Sequence, residues 1–323
     1  MTREKITLLL VQHYGKFVSG EEISQALNIT RSAVWKHINT LKALGCDIVS
    51  VRNRGYKLQR MPDILSPEFF RAVLNEDRQI HCYDQLVSTN IRAKELAQAN
   101  CPAGTLVIAN SQEDGQGRKG RSFYSPPGGV WMSIVLRPDM PPAQVQKFTL
   151  IAALAVAQSL QVLIGLDPQI KWPNDILING KKICGISADM ASNIDSVIYV
   201  VLGIGVNVNI EQEAIPKELK GIITSVQIEK KTTYSRLELA CAMIARLEEL
   251  LQVFQKSKDF SQFIETYSQY AMKGHVRVFG YGKETTGEMM GIDEEGRLLL
   301  KHEDGTIEKI LSGDLSLRRV GDV

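Results

Sequence analysis

The sequence predicts an α+β chain in three parts: an N-terminal winged helix-turn-helix, a central mixed-sheet domain and a small C-terminal β-barrel. Three observations carry that expectation. Residues 1–62 follow a helix–helix–helix–hairpin pattern, and the first sixty hold ten Lys/Arg against four Asp/Glu. Residues 66–270 alternate helical and strand periodicities. From Gly274 to residue 323 the chain turns to short strands separated by turn signals.

The elements follow in order. Ile6, Leu9, Leu10 and His13 recur at helical spacing, and Gly20-Glu21-Glu22 opens a short helix carrying Ile23, Ala26 and Leu27. After the turn Asn28-Ile29-Thr30, Thr30 caps a third helix whose Val34, Ile38 and Leu41 form one apolar stripe, and Gly45 ends it. Residues 47–51 and 56–59 read as two strands around the basic turn Arg52-Asn53-Arg54-Gly55, a wing. Met61-Pro62-Asp63 to Ser66-Pro67 has the composition of a linker. Beyond it, helices are expected at 67–75, 90–99, 142–164, 235–256 and 259–270. Strands are expected at 80–83, 105–110, 130–136, 169–172, 175–178, 183–190 and 197–208, in a mixed or antiparallel sheet. Turns at Gly280-Tyr281-Gly282, Asp293-Glu294-Glu295-Gly296 and Glu303-Asp304-Gly305 punctuate the C-terminal strands.

Composition narrows the function. With 44% hydrophobic and 23% charged residues the chain has material for real cores, which excludes a disordered tail, a collagen-like chain and a disulfide mini-scaffold. The net charge is only +2, yet the basic surplus is concentrated at the N-terminus, which favours a nucleic-acid partner there. Five scattered cysteines without Cys-x-x-Cys, and five histidines without metal spacing, support neither a disulfide framework nor a protein-only metal site. The N-terminus lacks the apolar stretch of a signal peptide. The apolar run from Leu150 to Gly165 is interrupted by Gln158 and Gln161 and reads as a buried helix, not a membrane span. A cytoplasmic protein with no membrane partner is expected.

Three segments carry chemistry. Gly115, Gly117 and Gly120 match G-x-G-x-x-G, but Ser125-Pro126-Pro127-Gly128-Gly129 leaves no room for the helix a dinucleotide turn needs. With Arg118, Lys119 and Arg121 among those glycines, the segment reads as a loop closing over an anionic ligand; a solvated basic loop is the plainer alternative. Lys171-Trp172-Pro173-Asn174-Asp175 and Lys181-Lys182-Ile183-Cys184-Gly185-Ile186 flank Asn179-Gly180, a tight hairpin that brings Asp175 near Lys182. Gly203 and Gly205 in an apolar strand mark close approach of a ligand or of backbone, and Asn207 beyond them has the groups to read an adenine edge; a bulged core strand is the alternative.

Ser88-Thr89-Asn90, the basic glycine loop, Lys171–Asp175, Lys182–Ile186 and Gly203–Asn207, in that order, resemble the biotin–protein ligases, and with the N-terminal winged helix the bifunctional ligase and biotin-operon repressor type. The resemblance spans essentially the whole chain and implies that the C-terminal barrel is SH3-like. It implies that biotin and MgATP form biotinyl-5′-AMP, whose acyl group passes to a lysine of a biotin carboxyl carrier protein. It places Ser88, Thr89, Asn90, Gln112, Gln116, Gly117, Arg118, Lys182, Gly185 and Ile186 around biotin. ATP and the adenylate fall to Arg118, Arg121, Lys171, Asn174 and Asn207, with catalysis assigned to Lys182, Arg118 and Asp175, and Mg2+ arriving with ATP near Asp175. Departures are Gln116 where arginine is frequent, Phe123 where tryptophan is frequent, and Asp189 where glutamate is common. Activating a carboxylate brings two anions together, so fixed cations are what the chemistry demands, and the lack of a nucleophile–base set is no obstacle.

A lipoate-type ligase and a ligand-sensing repressor without ligase activity are the rival readings. The exposed positions of the third helix, Arg31, Ser32, Trp35, Lys36 and Asn39, fall opposite its apolar stripe, and Arg52 and Arg54 sit in the wing. They form the expected contact with operator DNA, read by a homodimer when the adenylate is bound. A winged helix that contacts protein is the alternative.

Overall fold

A computed structural model describes residues 2–117, 120–280, 283–311 and 314–317. The reader consists of α1 (Thr2–Gln12), α2 (Gly20–Leu27) and α3 (Arg31–Ala43), followed by β1 (Asp47–Val51) and β2 (Gly55–Arg60) in an antiparallel hairpin. Ser19 and Glu22 form a reciprocal capping box at the start of α2, and Asn28, at φ 51°, ends it. The Thr30 hydroxyl accepts from the Ala33 amide at 3.2 Å. Val34, Ile38 and Leu41 are buried with Ile6, Leu10 and Ile23. Gly55 closes the wing at φ +99°, where a Cβ would stand 2.1 Å from the Val18 carbonyl oxygen, so no other residue fits there.

The stretch with linker composition is pinned rather than loose. Asp63 accepts from the Arg236 backbone amide at 2.8 Å and from its guanidinium at 2.9 Å, and Ser235 donates to the Pro62 carbonyl at 2.8 Å. Arg3–Glu68 and Arg71–Glu4, each at 2.6 Å, fasten α1 to α4 (Pro67–Leu74). Composition reports local turn propensity; partners 173 positions away leave no local trace.

The central sheet has the order β3-β4-β5-β9-β8-β7-β6. Its strands are β3 (Ile80–Leu86), β4 (Leu106–Gln112), β5 (Val130–Leu136), β6 (Gln169–Lys171), β7 (Asp175–Ile178), β8 (Lys181–Ser192) and β9 (Val197–Val206). Only β3 and β4 run parallel, across the crossover helix α5 (Thr89–Gln98), so the sheet is mixed. Alternation decides which helix covers which face. Val107, Val135 and Val201 pack with Ala93 and Ala97 of α5. Their neighbours Leu106, Ile108, Ile134, Val200 and Leu202 pack on the other side, in the core of α6 (Gln146–Ser159) and α8 (Arg236–Ser257). The helical run Pro142–Ile164 has the length and hydropathy to cross a bilayer, but 78% of its most apolar window is buried inside the protein, as a core helix requires. The short helix α7 (Val226–Lys230) and the turns before it, at 212–214 and 217–219, were not expected. After α9 (Ser261–Tyr270) come β10 (His275–Gly280), β11 (Lys283–Ile292), β12 (Leu298–Lys301), β13 (Ile307–Ile310) and β14 (Asp314–Leu317). They form a five-stranded antiparallel sheet in the order β13-β12-β11-β10-β14.

The turn between β11 and β12 docks on the central domain. Trp172 Nε1 donates to the Gly296 carbonyl at 3.0 Å, and buried Lys147 meets Glu295 at 3.1 Å. Asp293 organises this turn. Burial opposes its charge, but the Arg297 guanidinium and the backbone amides of Arg297 and Glu295 outweigh burial and hold its carboxyl below the usual range. In the pH range just below 4 the unfolded chain therefore binds more protons than the folded one, so stability falls as pH drops. Asp293→Asn should flatten that acid limb in thermal melts between pH 5 and about pH 3; an unchanged limb would contradict the role.

All five cysteines are free. Burial pushes the thiols of Cys46 and Cys82 up to about 12, and those of Cys184 and Cys241 higher still. These four should resist a thiol reagent at pH 8 until denaturant is added. Rapid native labelling of any of them would show the packing to be wrong.

Candidate active site

The site lies where α5 begins against the sheet. Ser88 is the N-cap of α5 and uses no side-chain cap bond. Gln112, at the end of β4, accepts from the Thr89 amide at 2.8 Å and the Thr89 hydroxyl at 3.1 Å, and donates to Ser125 Oγ at 2.8 Å. Ser133 of β5, fully buried, reaches Thr89 Oγ1 at 2.8 Å and Asn90 Oδ1 at 2.6 Å. Asn90 in turn donates to Ser187 Oγ at 2.9 Å and to Asp189 at 3.2 Å, and Lys94 pairs with that carboxylate at 3.1 Å. A polar floor is thus fixed before any ligand arrives.

On the other wall the Asn179-Gly180 turn, with φ values of 51° and 75°, returns the chain so that Lys182 Nζ lies 2.7 Å from Asp175 Oδ1. Both side chains are partly exposed, which keeps the ammonium available to a ligand. Lys182 is also braced through its backbone, donating to the Ile222 carbonyl and accepting from the Thr224 amide at 2.8 and 2.9 Å. Phe123 forms the roof. It meets Trp131 edge-on at 5.9 Å, and Lys182 Nζ lies 5.3 Å from its ring centre. A Cβ on Gly185 would come within 2.7 Å of this ring, and one on Gly205 within 2.6 Å. Those glycines are spaces for an aromatic ring.

The expected residues Ser88, Thr89, Asn90, Gln112, Gln116, Gly117, Asn174, Lys182, Gly185 and Ile186 all line one pocket. Arg121, Lys171 and Asn207 do not line it, and the Asn207 side chain donates to the Thr224 carbonyl at 2.8 Å. Arg118 and Lys119 lie outside the described residues. Met132, Ser133, Ser187 and Trp131 were not anticipated; the available signal was Ser133, a lone hydroxyl in the apolar run Val130-Trp131-Met132-Ser133-Ile134-Val135. The loop turns back on itself through Gly117 N to Arg121 O at 2.7 Å and Phe123 N to Gly115 O at 2.6 Å. The cavity beneath it is only ≈ 60 Å³. Small-molecule sites start at roughly 300 Å³. The cavity among the described residues is smaller than such a site, and Gln116 and Phe123 are among the residues that line it.

In the reader, Arg31, Trp35 and Asn39 share a concavity with Lys42 and with Arg52 and Asn53 of the wing. Ser32 and Lys36 are exposed on α3 beside it, and the Arg54 guanidinium stacks over Phe17 at 4.4 Å.

A ligase-type domain with a preformed polar pocket and a lysine–carboxylate pair, joined to a helix-turn-helix reader, is the class these features define. Residues 83–207 match the biotin/lipoate A/B protein ligase family, residues 2–57 an HTH domain, and residues 275–318 the biotin protein ligase C-terminal domain. The bifunctional ligase/repressor BirA of Bacillus subtilis (strain 168) is 38% identical, covering 98% of this chain and 98% of its own. That of Escherichia coli (strain K12) is 27% identical over 97% of both. The solved biotin protein ligase from Aquifex aeolicus in complex with biotin and ATP is 29% identical with a TM-score of 0.65, covering 75% of this chain and 100% of that one. This chain belongs to the biotin protein ligase family, in the form that carries an N-terminal helix-turn-helix domain.

Proposed function

We propose that this protein is an ATP-dependent biotin–protein ligase and a biotin-responsive transcriptional repressor. Its pocket takes biotin, and the biotin carboxylate attacks the α-phosphate of MgATP to give biotinyl-5′-AMP and pyrophosphate. The ε-amine of a lysine on a biotin carboxyl carrier protein then attacks the acyl carbon and releases AMP. The observation that carries the reading is the Lys182–Asp175 pair beside the fixed Thr89–Gln112–Ser133 floor. Biotin occupies Ser88, Thr89, Asn90, Gln112, Gln116, Gly117, Gly185 and Ile186. Lys182, oriented by Asp175, offsets the negative charge that develops at the α-phosphate. Arg118, Arg121, Lys171, Asn174 and Asn207 serve the ATP end. Mg2+ supplies charge neutralisation on the phosphates. A single carboxylate already paired with a lysine fits a metal that arrives with ATP better than one caged by protein.

The adenylate also acts as corepressor, favouring a homodimer that presents two winged helices to operator DNA in the cytoplasm. Transfer of label from biotin or lipoate to a purified carrier domain, with and without MgATP, tests the ligase half. ATP-dependent transfer of biotin alone is expected. Transfer of lipoate would make it a lipoate-type ligase, and no transfer with either would leave a sensor.

A further inference from the structure

We propose, on the footing of the repressor reading, that Trp35 is the residue through which α3 reads thymine, by apolar contact with the C5-methyl group in the major groove. Arg31, Trp35, Asn39 and Lys42 fall at i, i+4, i+8 and i+11 and line one concavity with Arg52 and Asn53. Trp35 is 61% exposed at its centre, while the apolar stripe of the same helix is 0–1% exposed. The indole therefore contributes nothing to the core, and its N–H has no partner within the described residues. An aromatic surface held open among cations and amides is placed for contact with another molecule. The basic surroundings select a polyanion, and in the major groove the thymine methyl is the apolar group on offer.

The spacing fits. Four residues of helix advance about 6 Å, close to two base-pair steps of roughly 3.4 Å. Arg31 and Asn39, whose forked groups suit guanine and adenine edges, therefore flank Trp35 at readable neighbouring positions. Lys42 is committed to Ser50 of the wing at 2.9 Å, which fixes the width of the concavity. The wing divides its labour: Arg52 faces the concavity while Arg54 is stacked on Phe17.

The test takes the full chain with biotin and MgATP and selects a binding sequence from a random duplex pool. Each thymine of that sequence is then replaced by uracil, which removes only the methyl. At one thymine per half-site, uracil is expected to weaken wild-type binding about three- to tenfold. Trp35→Ala should bind the thymine duplex about tenfold more weakly and be indifferent to that uracil. Trp35→Phe, keeping an apolar ring, should retain part of the affinity and the methyl sensitivity. The salt slope of Trp35→Ala should equal that of wild type, since no phosphate contact is lost, whereas Arg52→Ala should flatten it. Matching unfolding transitions establish that the variants are folded. Equal uracil sensitivity in wild type and Trp35→Ala overturns this inference and leaves the repressor reading standing. Enrichment of no sequence by the wild type overturns both.

Discussion

Replacing Lys182 by Ala is expected to slow biotin-dependent exchange of pyrophosphate into ATP by about two to three orders of magnitude, with biotin binding still measurable. The ammonium stands 2.7 Å from Asp175 and beside the Phe123 ring, in a pocket that is otherwise neutral among the described lining residues. Its charge counts most where anionic charge accumulates, which is the transition state and not the bound acid. Asp175→Asn is a milder perturbation, because the ammonium keeps its place but loses the carboxylate that orients it. The lysine variant should therefore be the slower of the two. Exchange by Lys182→Ala at near wild-type rate would remove this residue from the chemistry.

Gly203→Ala should cost the most in structure and in biotin affinity together. A Cβ there would stand 2.3 Å from Asn90 Oδ1 and 2.8 Å from Ser187 Oγ. Asn90 is 4% exposed and is held in place by Ser133, Ser187 and Asp189. If it turns away, Ser187 loses the amide that donates to it and Ser133 keeps only Thr89, and each unsatisfied buried group costs about 1–3 kcal/mol. A loss on the order of 2–4 kcal/mol, read as a lowered unfolding midpoint, should accompany at least a tenfold loss of biotin affinity. Wild-type melting and wild-type affinity in this variant would show that the floor is not held as described.

Much of this was legible from residues whose job is local. The Asn179-Gly180 turn has one comfortable hairpin geometry, and that turn returns Lys182 to the neighbourhood of Asp175. Thr30, Gly45 and the Val34/Ile38/Leu41 stripe set the reading helix, because caps and periodicity act within a turn or two. The glycines at 203 and 205 announced a close approach but not its object. Gly203 clears Asn90, 113 positions earlier, and Gly205 clears the Phe123 ring. Ser133 was missed for the same reason, since its partners Thr89 and Asn90 are more than forty positions away. The pinned connector depends on Arg236, whose capture of Asp63 is a property of the assembled fold. Segment 211–230, with its short helix and single turns, has too little periodicity to read, yet its backbone braces Lys182 through Ile222 and Thr224.

In the proposed function one pocket serves both outputs: the intermediate it makes is the signal the reader obeys. A single winged helix has few base contacts and binds weakly at physiological salt, whereas a pair at fixed spacing binds well. If the adenylate favours the pair, linkage requires that adenylate and DNA strengthen each other's binding. The direct measurement is a titration of selected operator DNA at fixed salt with the protein alone, with biotin, and with biotin plus MgATP. Affinity should rise sharply only in the third state, and fall again when an unbiotinylated carrier domain is added to consume the adenylate. Equal operator affinity in all three states would contradict the account, whatever the ligase assay shows.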